Sequence, residues 1–286
     1  TIITDEGDTL YNFTEFRIIA SFEEGDFISN QNGIGYSVDN IHPTTPSDMS
    51  ASHLDNNITV NWDYVLEEDF NYHEIRGLWN TAYSIENNME FNLSYRHDEE
   101  RIQSVDINDN KSEYSESVMS IHLHFGPNLV SINVESEDTD ISNVLSSLNN
   151  NITGAIGEGV AANNDLELGW MGSLNEIESC GAYWLIVNEE DILLVTGYPT
   201  DRTIPCELHA GNNLIGYPYR YATSIEEALP EGIGCDISGI IGEGVAALCN
   251  ESGWTGSLSS LEGSYGYWFI SEEAMDIAFN GCDENC

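Results

Sequence analysis

Positive charge is what this sequence has least of. Seven lysines and arginines stand against 50 aspartates and glutamates, Lys111 is the one lysine, and the formal net charge is −43. A surface of that sign repels phosphate backbones and anionic lipid headgroups, which excludes nucleic acid and membrane surfaces as partners. It also repels itself, and calls for salt screening or neutralising cations such as a marine, calcium-bearing medium supplies. No run of 18 apolar residues occurs, so membrane insertion through a helix is not expected. A Gly-x-Ser-x-Gly elbow, an HExxH helix and a Cys/His dyad are all missing, and with them the signatures of the common hydrolases. With 50 carboxylates, pairs of them close in space are expected.

Cysteine is absent from the first 179 residues and then appears at Cys180, Cys206, Cys235, Cys249, Cys282 and Cys286. An even count confined to loop-rich segments fits disulfides formed in an oxidising compartment. Many connectivities are open, and proximity in sequence favours Cys235–Cys249, Cys282–Cys286 and Cys180–Cys206. Without a CxxC pair, a zinc site is disfavoured. The chain begins at Thr1 with neither a methionine nor a signal-like apolar segment, so it is expected to be a processed mature protein or part of a longer one.

What is present is a folded, duplicated chain. Hydrophobic content of 41% and aromatic content of 10% over 286 residues suit two or three domains with proper cores. Ile152–Ala162 reads ITGAIGEGVAA and Ile237–Ala247 reads ISGIIGEGVAA, with nine of the eleven positions identical at an offset of 85. GWMGSL (Gly169–Leu174) then matches GWTGSL (Gly253–Leu258), and the pairs Tyr183-Trp184 and Tyr267-Trp268 follow. Two copies of one module therefore fill the C-terminal half, a plan that points away from a single-site enzyme.

Four segments are expected: a partial β segment (1–37), a sandwich (38–121), repeat module 1 (122–204) and repeat module 2 (205–286). In the first, Phe16, Ile18, Ala20 and Phe22 alternate with Arg17, Ile19 and Ser21, the pattern of a half-buried strand. That segment is too short for its own core and is expected to pack on a neighbour or to belong to a domain that continues upstream. In the second, Pro43 and Pro46 give an extended entry outside any central ladder, and Ile58, Val60 and Trp62 alternate. The block Asp69-Phe70-x-Tyr72-x-x-Ile75 follows, and Asp106-x-Asn108-x-Asn110-x-Ser112 closes the segment. On these residues, about 38–120 resembles a fibronectin type III domain of the bacterial secreted kind. HDEERIQSV stands where that family usually carries an aromatic-rich strand. The resemblance implies a seven-stranded sandwich used as a spacer or adhesive module, without catalysis.

Each repeat reads as a small α+β unit, mostly strand. It has an entry strand (Val130, Ile132, Val134; Ile215, Tyr217, Tyr219) and then a short helix. In copy one Ile141, Val144, Leu145 and Leu148 share a helical face, and in copy two Ser224 and Glu227 have capping-box spacing. Ala182–Val187 and Ile192–Thr196 are the closing strands of copy one. Residues 122–286 resemble tandem repeats near the C-termini of large secreted proteins of aquatic bacteria, which implies location and modularity but no catalytic residues.

The candidate sites are few. Gly157-Glu158-Gly159 and Gly242-Glu243-Gly244 lack the third glycine of a dinucleotide loop and have no basic residue nearby in sequence, so they read as tight turns with glycines at positive φ. Asp106, Asn108 and Asn110 open like a calcium loop, but the sixth and twelfth positions hold Lys111 and Ser117 in place of Gly and Glu. A strand-ending turn yields the same pattern. These three are the metal candidate, with calcium the ion and no other cofactor expected. His122-x-His124 puts two imidazoles on one strand face. In each Tyr-Trp pair one ring is expected inside and one outside, for core and interface packing, with sugar stacking as the alternative. Sequons begin at Asn12, Asn57, Asn92, Asn110, Asn151 and Asn250.

The whole describes a mainly β, secreted, non-enzymatic structural or adhesive protein of a bacterial surface or extracellular assembly, able to form filaments. Its expected partners are copies of itself, surface proteins or polysaccharide. The alternative is the non-catalytic C-terminal region of a secreted hydrolase that binds polysaccharide or tethers the enzyme.

Overall fold

A computed structural model describes residues 2–3, 9–10, 13–36, 40–77, 81–92 and 97–281 of the chain. Its N-terminal part is a nested hairpin. Strand β1 (Phe13–Phe16) pairs with β4 (Gly33–Tyr36), and β2 (Ile19–Phe22) pairs with β3 (Gly25–Ile28) inside them. The single strand expected over Phe16–Phe22 is thus broken at Arg17-Ile18, and it folds back on itself instead of packing on a neighbour. Nor is it half-buried: Phe16, Ile18, Ile19, Phe22, Phe27, Ile28 and Ile34 are all more than half exposed.

The next unit has two layers. Strands β5 (Ser50–Leu54), β6 (Asn57–Asn61) and β9 (Asn88–Asn92) form one sheet in the order β9-β6-β5. In the other, β8 (Thr81–Ser84), β7 (Phe70–Arg76), β10 (His97–Asp106) and β11 (Ser117–Leu123) lie side by side. The alternation of Ile58, Val60 and Trp62 sends their side chains inward against Ile75, Ile102 and Val118. Pro43 and Pro46 are buried at the entry, off the ladders. HDEERIQSV is a full strand: residues 97–100 pair with β11 and 101–106 with β7, with a register shift between Val105 and Asp106.

Both repeats build the same five-stranded sheet. Module 1 contributes β12 (Gly126–Ser131), β13 (Val134–Glu135), β14 (Ile152–Ile156), β15 (Ala161–Asp165), β16 (Gly169–Gly172), β17 (Ala182–Val187) and β18 (Asp191–Pro199), and its sheet order is β12-β17-β14-β15-β16. Module 2 contributes β19 (Cys206–Leu208), β20 (Gly211–Gly216), β21 (Ile237–Gly242), β22 (Val245–Asn250), β23 (Gly253–Gly256), β24 (Gly266–Ser271) and β25 (Met275–Ile277), ordered β20-β24-β21-β22-β23. Details repeat as well. The Tyr183 hydroxyl accepts the Glu178 N–H at 2.8 Å, and the Tyr267 hydroxyl accepts the Glu262 N–H at 2.9 Å. The second glycine of each GW turn is obligatory: at Gly172 and Gly256 φ is 154°, and a Cβ would lie 2.1 Å from the carbonyl oxygen of Ala161 or Ala246.

The helix of each repeat is one turn, α1 (Ile141–Val144) and α2 (Ile225–Ala228). Ile141, Val144, Leu145 and Leu148 are all buried, as their spacing predicts, but a 3-10 turn (Ser146–Asn151) replaces further α-helix. The cause is side-chain competition for the backbone. Asn149 donates to the Ser147 carbonyl, and the Ser147 hydroxyl accepts the Leu194 N–H at 2.9 Å. At α2 the Ser224 hydroxyl accepts the Glu227 N–H at 3.4 Å, the expected cap.

The modules differ behind the shared sheet. In module 1, β18 pairs with β11 along its length, and β13 pairs with the end of β18, so the β8-β7-β10-β11 sheet continues into the repeat. Ile192 and Leu194 enter the sandwich core while Leu193 and Val195 enter the module core. Strand β11 also runs across position 121/122. In module 2 the equivalent pair, β19 and β25, stands as a two-stranded ribbon.

Candidate functional site

The most highly built feature is the seam between the two modules. Edge strands β12 and β20 meet there around a pseudo-two-fold axis. The Ser131 N–H donates to the Ser264 carbonyl at 3.2 Å, and the Gly216 N–H donates to the Cys180 carbonyl at 2.8 Å, which are repeat-equivalent bonds. Leu129, Ala182 and Leu214 are buried between the modules, with Trp184 and Trp268 packed on them. Tyr183 and Tyr267 go to the two module cores. One ring of each Tyr-Trp pair is therefore core and the other interface, as strand alternation requires.

Each Gly-Glu-Gly turn crosses this seam. Glu158 of module 1 reaches His209 of module 2 at 2.5 Å, and its second oxygen accepts the Leu214 N–H at 2.6 Å. Glu243 of module 2 reaches back to His124 at 2.6 Å and accepts the Leu129 N–H at 3.0 Å. The expectation of a turn without a basic neighbour is corrected in space: each glutamate meets a histidine 51 or 119 residues away. Of the two glycines only the second has positive φ, 69° at Gly159 and 73° at Gly244. The first is held small by the Tyr183 or Tyr267 ring, 3.2 Å from where a Cβ would sit. The Ala210 carbonyl, and after it the Glu158 carboxylate, holds the His209 imidazole above its ordinary value.

Two of the expected disulfides form, Cys180–Cys206 between the modules and Cys235–Cys249 within module 2. Cys282, Cys286 and Asn12 lie outside the described residues. Asp106, Asn108 and Asn110 come together as a turn. One Asp106 oxygen accepts the backbone N–H groups of Asn108 and Asn110 at 2.8 Å each, and the other accepts the Asn110 side-chain amide at 2.7 Å. No group of three or more His, Cys, Asp or Glu side chains poised for a metal occurs among the described residues. His122 and His124 do not form a pair on one strand face, because β11 ends at Leu123 and His124 turns to Glu243.

Two buried titratable groups escaped the sequence reading. Burial lowers His73, packed between Trp62 and Phe70, to a pKa of about 4. Burial, reinforced by Asp98, pushes the Glu100 carboxyl well up, and one of its oxygens has no hydrogen-bond partner among the described residues. Next to it Glu99 faces the Arg220 guanidinium at 3.4 Å and accepts from the Ser117 hydroxyl at 2.9 Å, so module 2 reaches the sandwich through a buried ion pair. Glu99 and Glu100 fall in the HDEERIQSV strand, where the absence of aromatics is the signal that could have found them.

A cleft of about 510 Å³ opens between β5 and module 1. Hydroxyls and amides, among them Ser52, Ser147, Asn143 and Asn149, line it together with His53 and apolar residues but no carboxylate. Among the described residues no helix is long and apolar enough to cross a membrane. The chain matches no known protein-family model, and no curated protein is significantly similar to it.

Proposed function

We propose that this chain is a non-enzymatic, secreted structural or adhesive unit that joins others of its kind through its N-terminal hairpin. The observation that carries the reading is the exposure of Phe16, Ile19, Phe22, Phe27, Ile28 and Ile34 along paired strands, with Ile18 between them. An apolar ribbon of this kind invites strand addition by a second chain, with main-chain bonds for affinity and alternate side chains for specificity. The rest of the molecule is then a spacer. The strand orders β9-β6-β5 and β8-β7-β10-β11 support the fibronectin type III reading of that spacer. Two disulfides favour an extracellular setting. With a charge of −43, close approach of copies needs salt or divalent cations such as calcium.

The test is deletion of residues 1–36, followed by light scattering and electron microscopy in high salt with and without calcium. Assembly by the intact chain that is lost on deletion is the expected result. An intact chain that stays monomeric throughout overturns the reading. The cleft beside β5 favours a second one, attachment to neutral polysaccharide, because hydroxyls and amides line it in an otherwise acidic molecule. Isothermal titration with soluble neutral glycans separates the two.

A further inference from the structure

The two glutamate–histidine contacts across the module seam share one chemical peculiarity. His209 Nε2 faces a Glu158 oxygen at 2.5 Å while its Nδ1 faces the Ala210 carbonyl at 2.8 Å. His124 repeats this, with Glu243 at 2.6 Å on one side and the Phe125 carbonyl at 2.9 Å on the other. A carbonyl oxygen and a carboxylate oxygen only accept. A neutral imidazole has one N–H, so it satisfies one neighbour and turns a lone pair on the other. Both contacts are made together when the pair holds an additional proton, shared between imidazole and carboxylate.

We propose that Glu158–His209 and Glu243–His124 are two proton-binding sites that latch the modules together. Each is open to solvent, the His209 and His124 side chains being 62% and 47% exposed, so protons exchange without unfolding. Each is also tied into the seam, because the same carboxylate accepts the Leu214 or Leu129 N–H. When the proton leaves, the neutral imidazole keeps one N–H for two acceptors, so a lone pair faces either the carboxylate or the backbone carbonyl, and the contact across the seam weakens from an ion pair to at most a bond from a neutral imidazole.

The sign follows from linkage. A histidine whose pKa is raised in the folded protein adds stability that is fully present below the unfolded value of about 6.5 and is lost as pH rises through the folded value. His209 is raised first by the Ala210 carbonyl and then by Glu158, the charged group acting on it. The seam is therefore latched in acid and loosens in alkali. It does not come apart, because Cys180–Cys206 and the leucine–tryptophan cluster remain. What loosening uncovers is the apolar strip of Leu129, Leu214, Trp184 and Trp268.

The test uses the intact chain. Nitrogen-15 NMR of the imidazoles across pH 5–9 is expected to find His124 and His209 doubly protonated at the acid end, with His209 titrating above its ordinary value of about 6.5. Hydrogen exchange at the Leu129 and Leu214 amides, corrected for intrinsic base catalysis, should accelerate about tenfold over the same range, while amides of β6 in the sandwich do not. In the Glu158→Gln/Glu243→Gln double variant a side-chain amide donates to the neutral imidazole, so the pH dependence of Leu129 and Leu214 flattens while the seam persists. A His209 pKa at or below about 6.5, or exchange at the two leucines that follows the β6 amides in the unsubstituted chain, overturns the proposal. Neither result depends on the variant folding.

Discussion

Modules 1 and 2 carry the same sheet on different backings. Strand β18 of module 1 is shared with the sandwich, Ile192 and Leu194 facing one core and Leu193 and Val195 the other. The equivalent strand of module 2, β25, pairs only over Cys206–Leu208 and belongs to a ribbon. Module 2 offsets the loss with aromatics, Tyr217, Phe269 and Phe279 in contact, and with the Cys235–Cys249 bridge. The shared motif thus specifies a sheet and a seam, while the second layer is supplied by whatever the chain puts behind it. Two copies of one sequence pattern can be equal in topology and unequal in how their stability is coupled to the rest.

The sharpest way to break that comparison is to empty equivalent core positions, Leu185 and Phe269. Both are fully buried, and Leu185→Ala or Phe269→Ala should cost about 3–5 kcal/mol. Hydrogen exchange should then distinguish them. Phe269→Ala should expose module 2 while β6 and β11 stay protected, whereas Leu185→Ala should loosen β18, β11 and the sandwich core together. If both variants unfold the same residues, the inequality of coupling is wrong.

Next in size is the module 2 bridge. Replacing Cys235 and Cys249 by alanine frees a loop with a sequence separation of 14, for which the chain-entropy estimate is about 3 kcal/mol. Chemical denaturation should report that loss, with module 1 amides unchanged. Gly172→Ala and Gly256→Ala test the opposite side of the comparison, since each drives a Cβ into the facing carbonyl. Each is expected to cost about 1–3 kcal/mol, and the two values should agree. A large difference between them would mean that the GW turns are not equivalent.

The smallest effect concerns how module 2 meets the sandwich, through Arg220 and the Glu99-Glu100 pair instead of a shared sheet. Glu100 has its native pKa raised, so its neutral form contributes stability below the unfolded value of about 4.3, and that stability is lost as pH rises toward the native value. Glu100→Gln keeps the shape and removes the buried charge. Its Tm should rise by about 2–4 °C at neutral pH and stay unchanged near pH 3, as differential scanning fluorimetry can check.

Much of this was legible in residues that speak locally. Alternation at Ile58, Val60 and Trp62, the duplicated GEGVAA and GW segments and the spacing of Ile141 to Leu148 each report which side of an element is buried, because period and burial are linked within a few residues. Cysteine proximity likewise led to both described disulfides, since short loops close most readily. The length of the helices was not legible, because the apolar spacing of Ile141 to Leu148 does not show that Ser147 and Asn149 bond to the backbone. The strand at Phe16–Phe22 was expected to be covered and is exposed; its pattern is the same whether or not a second surface exists to cover it.

The sequence by itself determined that this protein is mainly β, acidic, duplicated and cross-linked, because composition, periodicity and repetition act over short distances along the chain. Only the tertiary structure decided that one repeat shares its strand with the sandwich, that Glu100 is buried, and that each Gly-Glu-Gly turn meets a histidine of the other module. Those depend on which distant segments become neighbours. A glutamate in a turn is a solvated charge until folding sets an imidazole 2.5 Å away.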